Sequence, residues 1–181
     1  MQRATKTDNK SIANKVFLRR KATEHLKRVR VLDLFAGNNI CWANIDKERY
    51  YGVELVPDKG ANLNADAMQA IESLDLSGFN VIDCDSYSVP FEICKKIIKN
   101  GNVKSGTVVL YTAITNAFTR LPNVCINDIG INAMYKIVPS LFNANAIIYF
   151  YDMLANLGVR EVKYYEVNDG YTKHYGYFVI P

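Results

Sequence analysis

The stretch VLDLFAGNN, residues 31–39, is the most informative part of the chain, because its pattern is that of a buried strand that ends in an acid and is followed by a turn of small residues. A second predicted strand, at residues 50–53, leads to Glu54. This glutamate follows the first strand by about twenty residues, the spacing of a carboxylate that receives ribose hydroxyls in a doubly wound sheet. Together the two features predict a site for a nucleotide-like cofactor at the first crevice of the sheet.

Strand patterns and helix patterns alternate along most of the chain. Strands are predicted at 31–35, 50–54, 61–64, 79–84 and 107–112, and helices at 12–26, 38–46, 67–74, 91–99 and 139–157. The polar segment 113–138 reads as a long loop with short helical pieces, and residues 160–167 and 174–180 alternate like paired strands across a turn at 168–170. The sequence therefore predicts an α/β fold with a doubly wound, mostly parallel seven-stranded sheet and a C-terminal antiparallel hairpin.

The positive charge is concentrated at the N-terminal end. Residues 1–30 contain ten of the 22 Lys and Arg residues but only two of the 18 Asp and Glu residues, so the rest of the chain is net negative. We predict a basic N-terminal arm and helix over residues 1–30 and the main part of a single domain over residues 31–181. Such an arm suits attraction to phosphate groups, although a solvated helix face fits the same pattern.

Cysteine usage and hydropathy restrict the class of protein. The cysteines have no paired short spacing and lie far from both histidines, so we expect buried thiols and no metal site. No long apolar run or secretory segment is present, which predicts a cytoplasmic protein without a membrane partner. The four cysteines are Cys41, Cys84, Cys94 and Cys125.

The order of these elements resembles the class I S-adenosylmethionine-dependent methyltransferases over residues 12–180. The sharpest local matches are DLFAG at residues 33–37, Glu54, Asp66 and DCDSYSVPF at residues 83–91. The latter, within VIDCDSYSVPF, is similar to the motif of tRNA guanine-N2 dimethyltransferases, in which Asp-Pro-Phe/Tyr-Gly-Ser-Pro follows the fourth strand. Ser86 replaces the first proline of that motif, and Ser88 replaces its glycine.

The resemblance implies S-adenosyl-L-methionine as the cofactor. In this family Glu54 would receive the ribose hydroxyls, Asp66 would receive the adenine amino group, and the small turn at Gly37 would let the backbone approach the methionine half. NAD is disfavoured because no second or third glycine follows Gly37, and no P-loop is present. The implied cofactor-binding residues are Asp33, Phe35, Ala36, Gly37, Glu54, Asp66, Ala67 and Asp83.

The same resemblance implies the chemistry and the partner. Asp85 would accept a hydrogen bond from the exocyclic amine of a nucleic-acid base, and Tyr87 would stack on that base; these are the two implied catalytic residues. The implied substrate is RNA rather than DNA. A partner protein or a homodimer would add specificity, because the chain has no appended RNA-binding domain.

Several alternatives stay open on the sequence. A small-molecule or protein methyltransferase of the same fold is one, and a noncatalytic binding module is another, supported by Ser86 and Ser88. Asp83 and Asp85 also fit the role of caps for the helix near Val89, with Tyr87 as a packing residue. Cytosine-C5 chemistry is disfavoured because no Pro-Cys follows the fourth strand, and Cys84 is expected on the buried face. Cys125 is left open as a nucleophile.

Overall fold

The computed structural model describes residues 11–57, 59–86, 88–115, 120–168 and 172–181. Its strands form one seven-stranded sheet in the order β3-β2-β1-β4-β5-β7-β6. The strands are β1 (Val31–Asp33), β2 (Tyr50–Glu54), β3 (Leu63–Asn64), β4 (Val81–Cys84), β5 (Val108–Thr115), β6 (Val162–Asn168) and β7 (Thr172–Val179).

Helices cover both faces of this sheet. Two single turns of 3-10 helix, at Lys47–Arg49 and Leu76–Gly78, precede β2 and β4. The α-helices are α1 (Ile12–Thr23), α2 (Ala67–Ser73), α3 (Phe91–Lys99), α4 (Asn123–Asp128), α5 (Asn132–Ile137), α6 (Pro139–Ala144) and α7 (Ala146–Asn156).

The strand directions confirm the predicted fold class. β1, β2, β3, β4 and β5 run parallel, whereas β7 pairs antiparallel with both β5 and β6. In the register of the central strands, Asp33 lies beside Gly52 of β2 and beside Asp83 of β4. The acids that end β1 and β4 are therefore neighbours at the carboxyl edge of the sheet.

Alternation along β1 and β4 separates two packed layers. Leu32 and Ile82 belong to the larger core, which includes residues of α2, α3 and α7. Val31 and Val81 face the opposite side and pack with Leu18 of α1. Because every second residue of a strand points to the same face, the side chains of Asp33 and Asp83 lie on the α1 side.

Some sequence-based boundaries were wrong. The helix predicted at 38–46 is not formed: Gly37 and Asn39 both have φ of 51°, and the Asn39 amide donates to the carbonyl of Ala36, which makes a turn. The helix predicted at 139–157 is two helices that meet at Asn145, whose ψ of 19° departs from helical geometry. The predicted turn at 168–170 falls largely outside the described residues.

The other predicted elements agree with the structure to within a few residues. The helix at 91–99 has the predicted bounds, whereas α1 ends three residues earlier than expected, at Thr23. The segment 113–138 begins with the last part of β5 and includes α4 and α5, in line with the expected short helical pieces. No helix in the described ranges combines the length and the apolar character that a bilayer crossing requires.

Replacing Gly176 by alanine is expected to destabilise the C-terminal part of the sheet. The added Cβ would lie 2.8 Å from the Lys163 carbonyl oxygen and even closer to the buried ring of Tyr111. Overpacking of this kind costs about 1–3 kcal/mol of the free energy of unfolding, which urea denaturation measures. Gly101→Ala is the control, because its Cβ meets no atom within 4 Å. Equal stability of the two variants would contradict the prediction.

Candidate cofactor cleft and acidic cluster

A cleft with a volume of about 550 Å³ opens at the carboxyl edge of the parallel strands. Its lining comes from the segments that follow four of these strands, β1, β3, β4 and β5. The volume lies within the range of about 300–1,000 Å³ that is typical of ligand sites. Residues that line it include Phe35, Asp66, Ala67, Ser86, Pro90 and Ile114.

The loop after β1 is held against the end of β2 by Glu54. One carboxylate oxygen of Glu54 accepts the Gly37 amide at 2.9 Å, and the other accepts the Val56 amide at 3.1 Å. The Ala36 amide donates to the carbonyl of Val53, which extends the same contact. Since β2 lies between β1 and β3 in the sheet, Glu54 is placed between the cleft residues Phe35 and Asp66.

Asp66 has a structural role as well as a place in the cleft. It is the N-cap of α2, and its Oδ1 accepts the Met68 amide at 2.8 Å. The residue is exposed, and Ala67 after it is buried. A small residue at the first position of α2 leaves this end of the cleft open.

Behind the cleft, on the α1 side of the sheet, lies a buried ion pair. Asp83 Oδ2 accepts hydrogen bonds from Arg19 Nε of α1 and from the indole Nε1 of Trp42, both at 2.7 Å. The side chain of Arg19 is 6% exposed and that of Asp83 is 1% exposed. Burial raises the pKa of Asp83, and the Arg19 charge opposes this shift. Arg19 is therefore the principal compensation for a carboxylate in a dry environment.

Asp33 lies next to this pair, and its pKa is also raised. Its carboxylate accepts the Tyr50 hydroxyl at 3.1 Å and the Phe35 amide at 3.2 Å. Burial, followed by the charge of Asp83, raises the pKa of Asp33 to about 8. Asp33 therefore holds a proton at neutral pH, and Arg19 is left to pair with Asp83.

We expect Asp33→Asn to flatten the pH dependence of stability. The pKa of Asp33 in the folded protein is about 8, whereas the pKa of a free aspartate is 3.8. The folded state thus binds more protons between these values, so its stability falls as pH rises through this window. Asparagine resembles the protonated acid in shape but does not titrate.

Urea denaturation at pH values from 5 to 9 measures this effect. The control is Asp75→Asn, because Asp75 is an exposed cap whose pKa is lowered by the hydrogen bonds from Ser77, which places its titration below the window. Curves of equal slope for Asp33→Asn and the wild type would show that Asp33 does not carry the proton.

Asp85 continues the acidic cluster toward the surface. Its Oδ2 lies 2.6 Å from Lys15 Nζ and 3.5 Å from Arg19 Nη2, both on α1. Burial alone would raise the pKa of Asp85, but the charges of Lys15 and Arg19 outweigh it and hold the pKa below its usual value. Asp85 is therefore ionised at neutral pH and suited to accept a hydrogen bond rather than to remove a proton.

The segment after β4 carries the two serines that depart from the family motif. The Ser86 amide donates to the Cys84 carbonyl at 2.8 Å, a bond that proline cannot make. The Ser86 hydroxyl donates to the carbonyls of Ser88 at 3.1 Å and Thr112 at 3.4 Å. Serine at position 86 thus ties this segment to β5. Tyr87, the predicted stacking residue, lies outside the described residues.

The structure brings only some of the predicted residues together. Phe35, Asp66 and Ala67 line the cleft, whereas Asp33 and Asp83 are buried against α1 rather than lining it. The other predicted cofactor residues do not line the cleft and lie at the contact between the loop after β1 and the end of β2: Ala36, Gly37 and Glu54. Asp85 also faces α1, and its neighbour Ser86 lines the cleft. No side-chain cap is formed at α3, whose N-cap is Pro90, so the capping interpretation of Asp83 and Asp85 was wrong.

Lys15, Arg19 and Trp42 were not identified from the sequence as members of this site. Lys15 and Arg19 are four residues apart on α1 and therefore share one helix face. Two cations on one helix face, together with three acids at the ends of β1 and β4, could have indicated that α1 contributes to an ion-pair cluster. In the sequence both cations were instead counted in the basic N-terminal arm, which was interpreted as a surface for phosphate attraction or as a solvated helix face.

Thiol and metal chemistry find little support in the described part of the chain. Cys84 is fully buried, and burial raises its pKa well above the usual value. Burial also raises the pKa of Cys125 to about 11, so this thiol stays protonated at neutral pH. Within the described ranges, no group of three or more His, Cys, Asp or Glu side chains is arranged to hold a metal ion.

Known proteins match this chain in fold but not in sequence. No protein-family model matches the sequence, and no curated protein matches it significantly. Solved structures do match. A SAM-dependent methyltransferase from Archaeoglobus fulgidus superposes with a TM-score of 0.54 at 16% identity, over 92% of this chain and 93% of that one. The chain has the SAM-dependent methyltransferase fold.

Two further structures with this fold differ in size. The N-methyltransferase NodS from Bradyrhizobium japonicum WM9 matches with a TM-score of 0.57 at 11% identity, over 93% of this chain and 95% of that one. Trm1 from Pyrococcus horikoshii, in complex with S-adenosyl-L-methionine, matches with a TM-score of 0.53 at 12% identity, over 92% of this chain and 54% of that one. At these low identities the similarity shows the fold of this chain alone.

Proposed function

We propose that this chain is an S-adenosylmethionine-dependent methyltransferase. The observation that carries the proposal is the cleft of about 550 Å³ at the carboxyl edge of a sheet with the methyltransferase strand order. Open α/β sheets bind their ligands at this edge. Two of the neighbours above are methyltransferases and the third is bound to S-adenosyl-L-methionine, which supports the same proposal.

The residues around the cleft fit this cofactor. Gly37 has φ of 51°, a conformation that favours glycine, and its missing Cβ leaves backbone open to the ligand. Each oxygen of Glu54 already accepts one amide, and a carboxylate oxygen has a second lone pair for a ribose hydroxyl. Asp66 in the cleft provides an acceptor for an adenine amino group, and Phe35, 37% exposed, provides an apolar surface.

We expect Asp66→Asn to weaken cofactor binding by about tenfold, which corresponds to about 1.4 kcal/mol for one charge-assisted hydrogen bond. Asparagine is an N-cap as good as aspartate, so α2 should stay intact while one acceptor oxygen becomes a donor. Isothermal titration calorimetry with S-adenosyl-L-methionine measures the affinity. Asp75→Asn is the matched control, because Asp75 caps the 3-10 turn Leu76–Gly78 through the Ser77 amide. An unchanged affinity would remove Asp66 from the cofactor site.

For the acceptor we propose the exocyclic amine of a nucleic-acid base, with RNA as the substrate. Support comes from the resemblance of VIDCDSYSVPF, residues 81–91, to the guanine-N2 motif and from the excess of basic residues before β1. Asp85 stands at the end of β4, next to the cleft residue Ser86. In this proposal Asp85 receives the hydrogen bond of the acceptor amine, and Tyr87 stacks on the base.

When bound, the cofactor would supply an electrophilic methyl group: the lone pair of the acceptor amine would form the N–C bond in line as the C–S bond breaks, with the thioether as the leaving group. Asp85, kept ionised by Lys15 and Arg19, aligns the amine and stabilises the positive charge that develops on its nitrogen. The proton leaves the amine after the transfer, so no strong base is required. Asp83 and Arg19 act as positioning residues, because they are buried together beside Asp85.

Methyl-transfer assays with labelled cofactor test this substrate class. The full chain is incubated separately with tRNA, rRNA, DNA and a set of small amines, and incorporation into each pool is counted. Transfer to an RNA pool is expected. Labelling of a small amine alone would instead favour a small-molecule methyltransferase, and NodS shows that an N-methyltransferase of this size and fold exists.

A noncatalytic binding module is the second candidate function. The specific observation in its favour is the 2.6 Å contact between Lys15 and Asp85, which occupies one oxygen of the proposed catalytic carboxylate. Lys15→Met separates the two functions. If the chain is a methyltransferase, the wild type transfers methyl groups and the variant does so at a different rate. If the chain is a binding module, neither protein transfers a methyl group to any acceptor.

A further inference from the structure

An exposed aromatic pair joins α1 to the edge strand β6. The ring centroids of Phe17 and Tyr165 lie 5.8 Å apart in an edge-on arrangement with an interplanar angle of 61°. Phe17 is 55% exposed and Tyr165 is 44% exposed, so both rings offer surface to solvent. Neither side chain belongs to the cleft or to the acidic cluster.

Cations surround this pair. Lys21 lies one helical turn beyond Phe17, and its side chain is 52% exposed. Its pKa is raised first by Glu24 and also by the hydroxyls of Tyr177 and Tyr165. Lys163 precedes Tyr165 by two residues on β6 and therefore lies on the same face. Further exposed cations follow Lys21 toward β1: Lys27, Arg28 and Arg30.

The nearby acids pair only weakly with Lys21 and Lys163, so both lysines remain available to a ligand. Lys21 pairs with Glu24 at 2.6 Å and Lys163 pairs with Glu161 at 3.5 Å. In both pairs each side chain is more than half exposed, so the pairs contribute little energy and can exchange for phosphate contacts.

The same face leads to the proposed acceptor site. Tyr165 of β6 is paired in register with Tyr175 of β7. Lys15 Nζ lies 5.7 Å from the centroid of the Tyr175 ring and 2.6 Å from Asp85. A series of neighbouring side chains, which runs through the buried Tyr175 and through Lys15, therefore links the exposed pair to the carboxylate that we assign to the acceptor amine.

We propose that the α1–β6 surface, formed by Phe17, Lys21, Lys163 and Tyr165, binds a single-stranded RNA segment that flanks the modified base. The inference rests on the proposed function and deepens it by assigning the substrate a location. Exposed aromatic rings stack with bases of any identity, and lysines contact the backbone phosphates. Because these contacts do not read base edges, this surface supplies affinity and orientation rather than sequence selectivity.

Tyr164 provides a matched control on the same strand. It is 48% exposed, close to the value for Tyr165, but it points to the opposite face. There its ring stacks on Tyr151 with centroids 5.3 Å apart and lies 5.3 Å from the ring of His174. A change at Tyr164 therefore removes a comparable ring from a surface that does not lead to Asp85.

Fluorescence anisotropy with a labelled single-stranded oligouridine tests the proposal on the full chain, without cofactor. Phe17→Leu and Tyr165→Leu keep apolar volume but remove the rings, and each is expected to weaken binding about 5- to 150-fold. Tyr164→Leu should bind as the wild type does. Lys21→Ser combined with Lys163→Ser should lower the dependence of log affinity on log salt by about one to two. Circular dichroism confirms the fold of each variant.

Equal binding by the wild type, Phe17→Leu, Tyr165→Leu and Tyr164→Leu would overturn the proposal, as would absence of RNA binding at low salt. Loss of self-association in the Phe17 and Tyr165 variants, with RNA binding unchanged, would assign the surface to a second copy of the chain and would also overturn it. Calorimetry with S-adenosyl-L-methionine is independent of this assay. A chain that binds RNA through these residues but does not bind the cofactor would refute the proposed function alone.

Discussion

Asp85→Asn is expected to reduce methyl transfer by at least about 100-fold while cofactor affinity stays close to that of the wild type. Asparagine keeps the size of the side chain but loses the negative charge that stabilises the amine as it becomes cationic. Loss of one such preorganised electrostatic contact costs about 10²–10³ in rate. Asp85 does not line the cofactor cleft, so the substitution leaves the cleft lining unchanged. Lys15 and Arg19 hold the pKa of Asp85 below its usual value, so the wild-type side chain is charged at neutral pH.

Single-turnover transfer to the RNA pool and calorimetry with the cofactor measure the two quantities. Asp75→Asn, a change of the same chemistry at an exposed cap, serves as the control and should retain the wild-type rate. Because the substitution also releases Lys15 and Arg19 from a partner, thermal denaturation of Asp85→Asn is needed to confirm that the fold persists. Wild-type turnover by folded Asp85→Asn would mean that another residue binds the acceptor.

Arg19→Met is expected to lower the free energy of unfolding by about 3–5 kcal/mol at neutral pH, the usual cost of leaving one partner of a buried ion pair alone. Arg19 donates to Asp83 at 2.7 Å, and both side chains are almost fully buried. Asp83 Oδ1 is buried without a hydrogen-bond partner in the described part of the structure, so the carboxylate depends on the contacts to Oδ2. Urea denaturation measures the loss.

A double variant tests the cause of that loss. Arg19→Met combined with Asp83→Asn removes both charges, and the indole of Trp42, 2.7 Å from Asp83 Oδ2 in the wild type, can still donate to the new amide oxygen. We expect the double variant to be more stable than Arg19→Met alone. The single variant Asp83→Asn completes the comparison. If the stability losses of Arg19→Met and Asp83→Asn add up to the loss in the double variant, Arg19 stabilises the protein by packing and not by its charge.

The sheet was predictable because its parallel strands are short, buried and rich in branched apolar residues. Val81 and Val108, for example, are completely buried, and such runs between helical segments indicate a doubly wound fold. The helix predicted after Gly37 was wrong for a local reason. Asn39 takes a positive φ there, a conformation that asparagine tolerates better than most residues but that a helix excludes.

The cofactor half of the candidate site was easier to predict than the cluster behind it. The turn at Gly37 and the acid at Glu54 follow two successive strands at the spacing typical of a doubly wound sheet, so their contact could be predicted. The contact between Arg19 and Asp83 joins residues 64 positions apart, and the spacing of Lys15 and Arg19 on one helix face does not by itself say which acids they meet. Lys15 and Arg19 interrupt the apolar face of α1, so in the sequence both were counted with the basic N-terminal arm and not with the buried site.

Calorimetric titration of the wild-type chain with S-adenosyl-L-methionine shows whether the cleft binds this cofactor. We expect saturable binding of one molecule per chain, weakened in Asp66→Asn and unchanged in Asp75→Asn. A folded wild-type chain that shows neither binding heat nor an increase in melting temperature at saturating cofactor would contradict it.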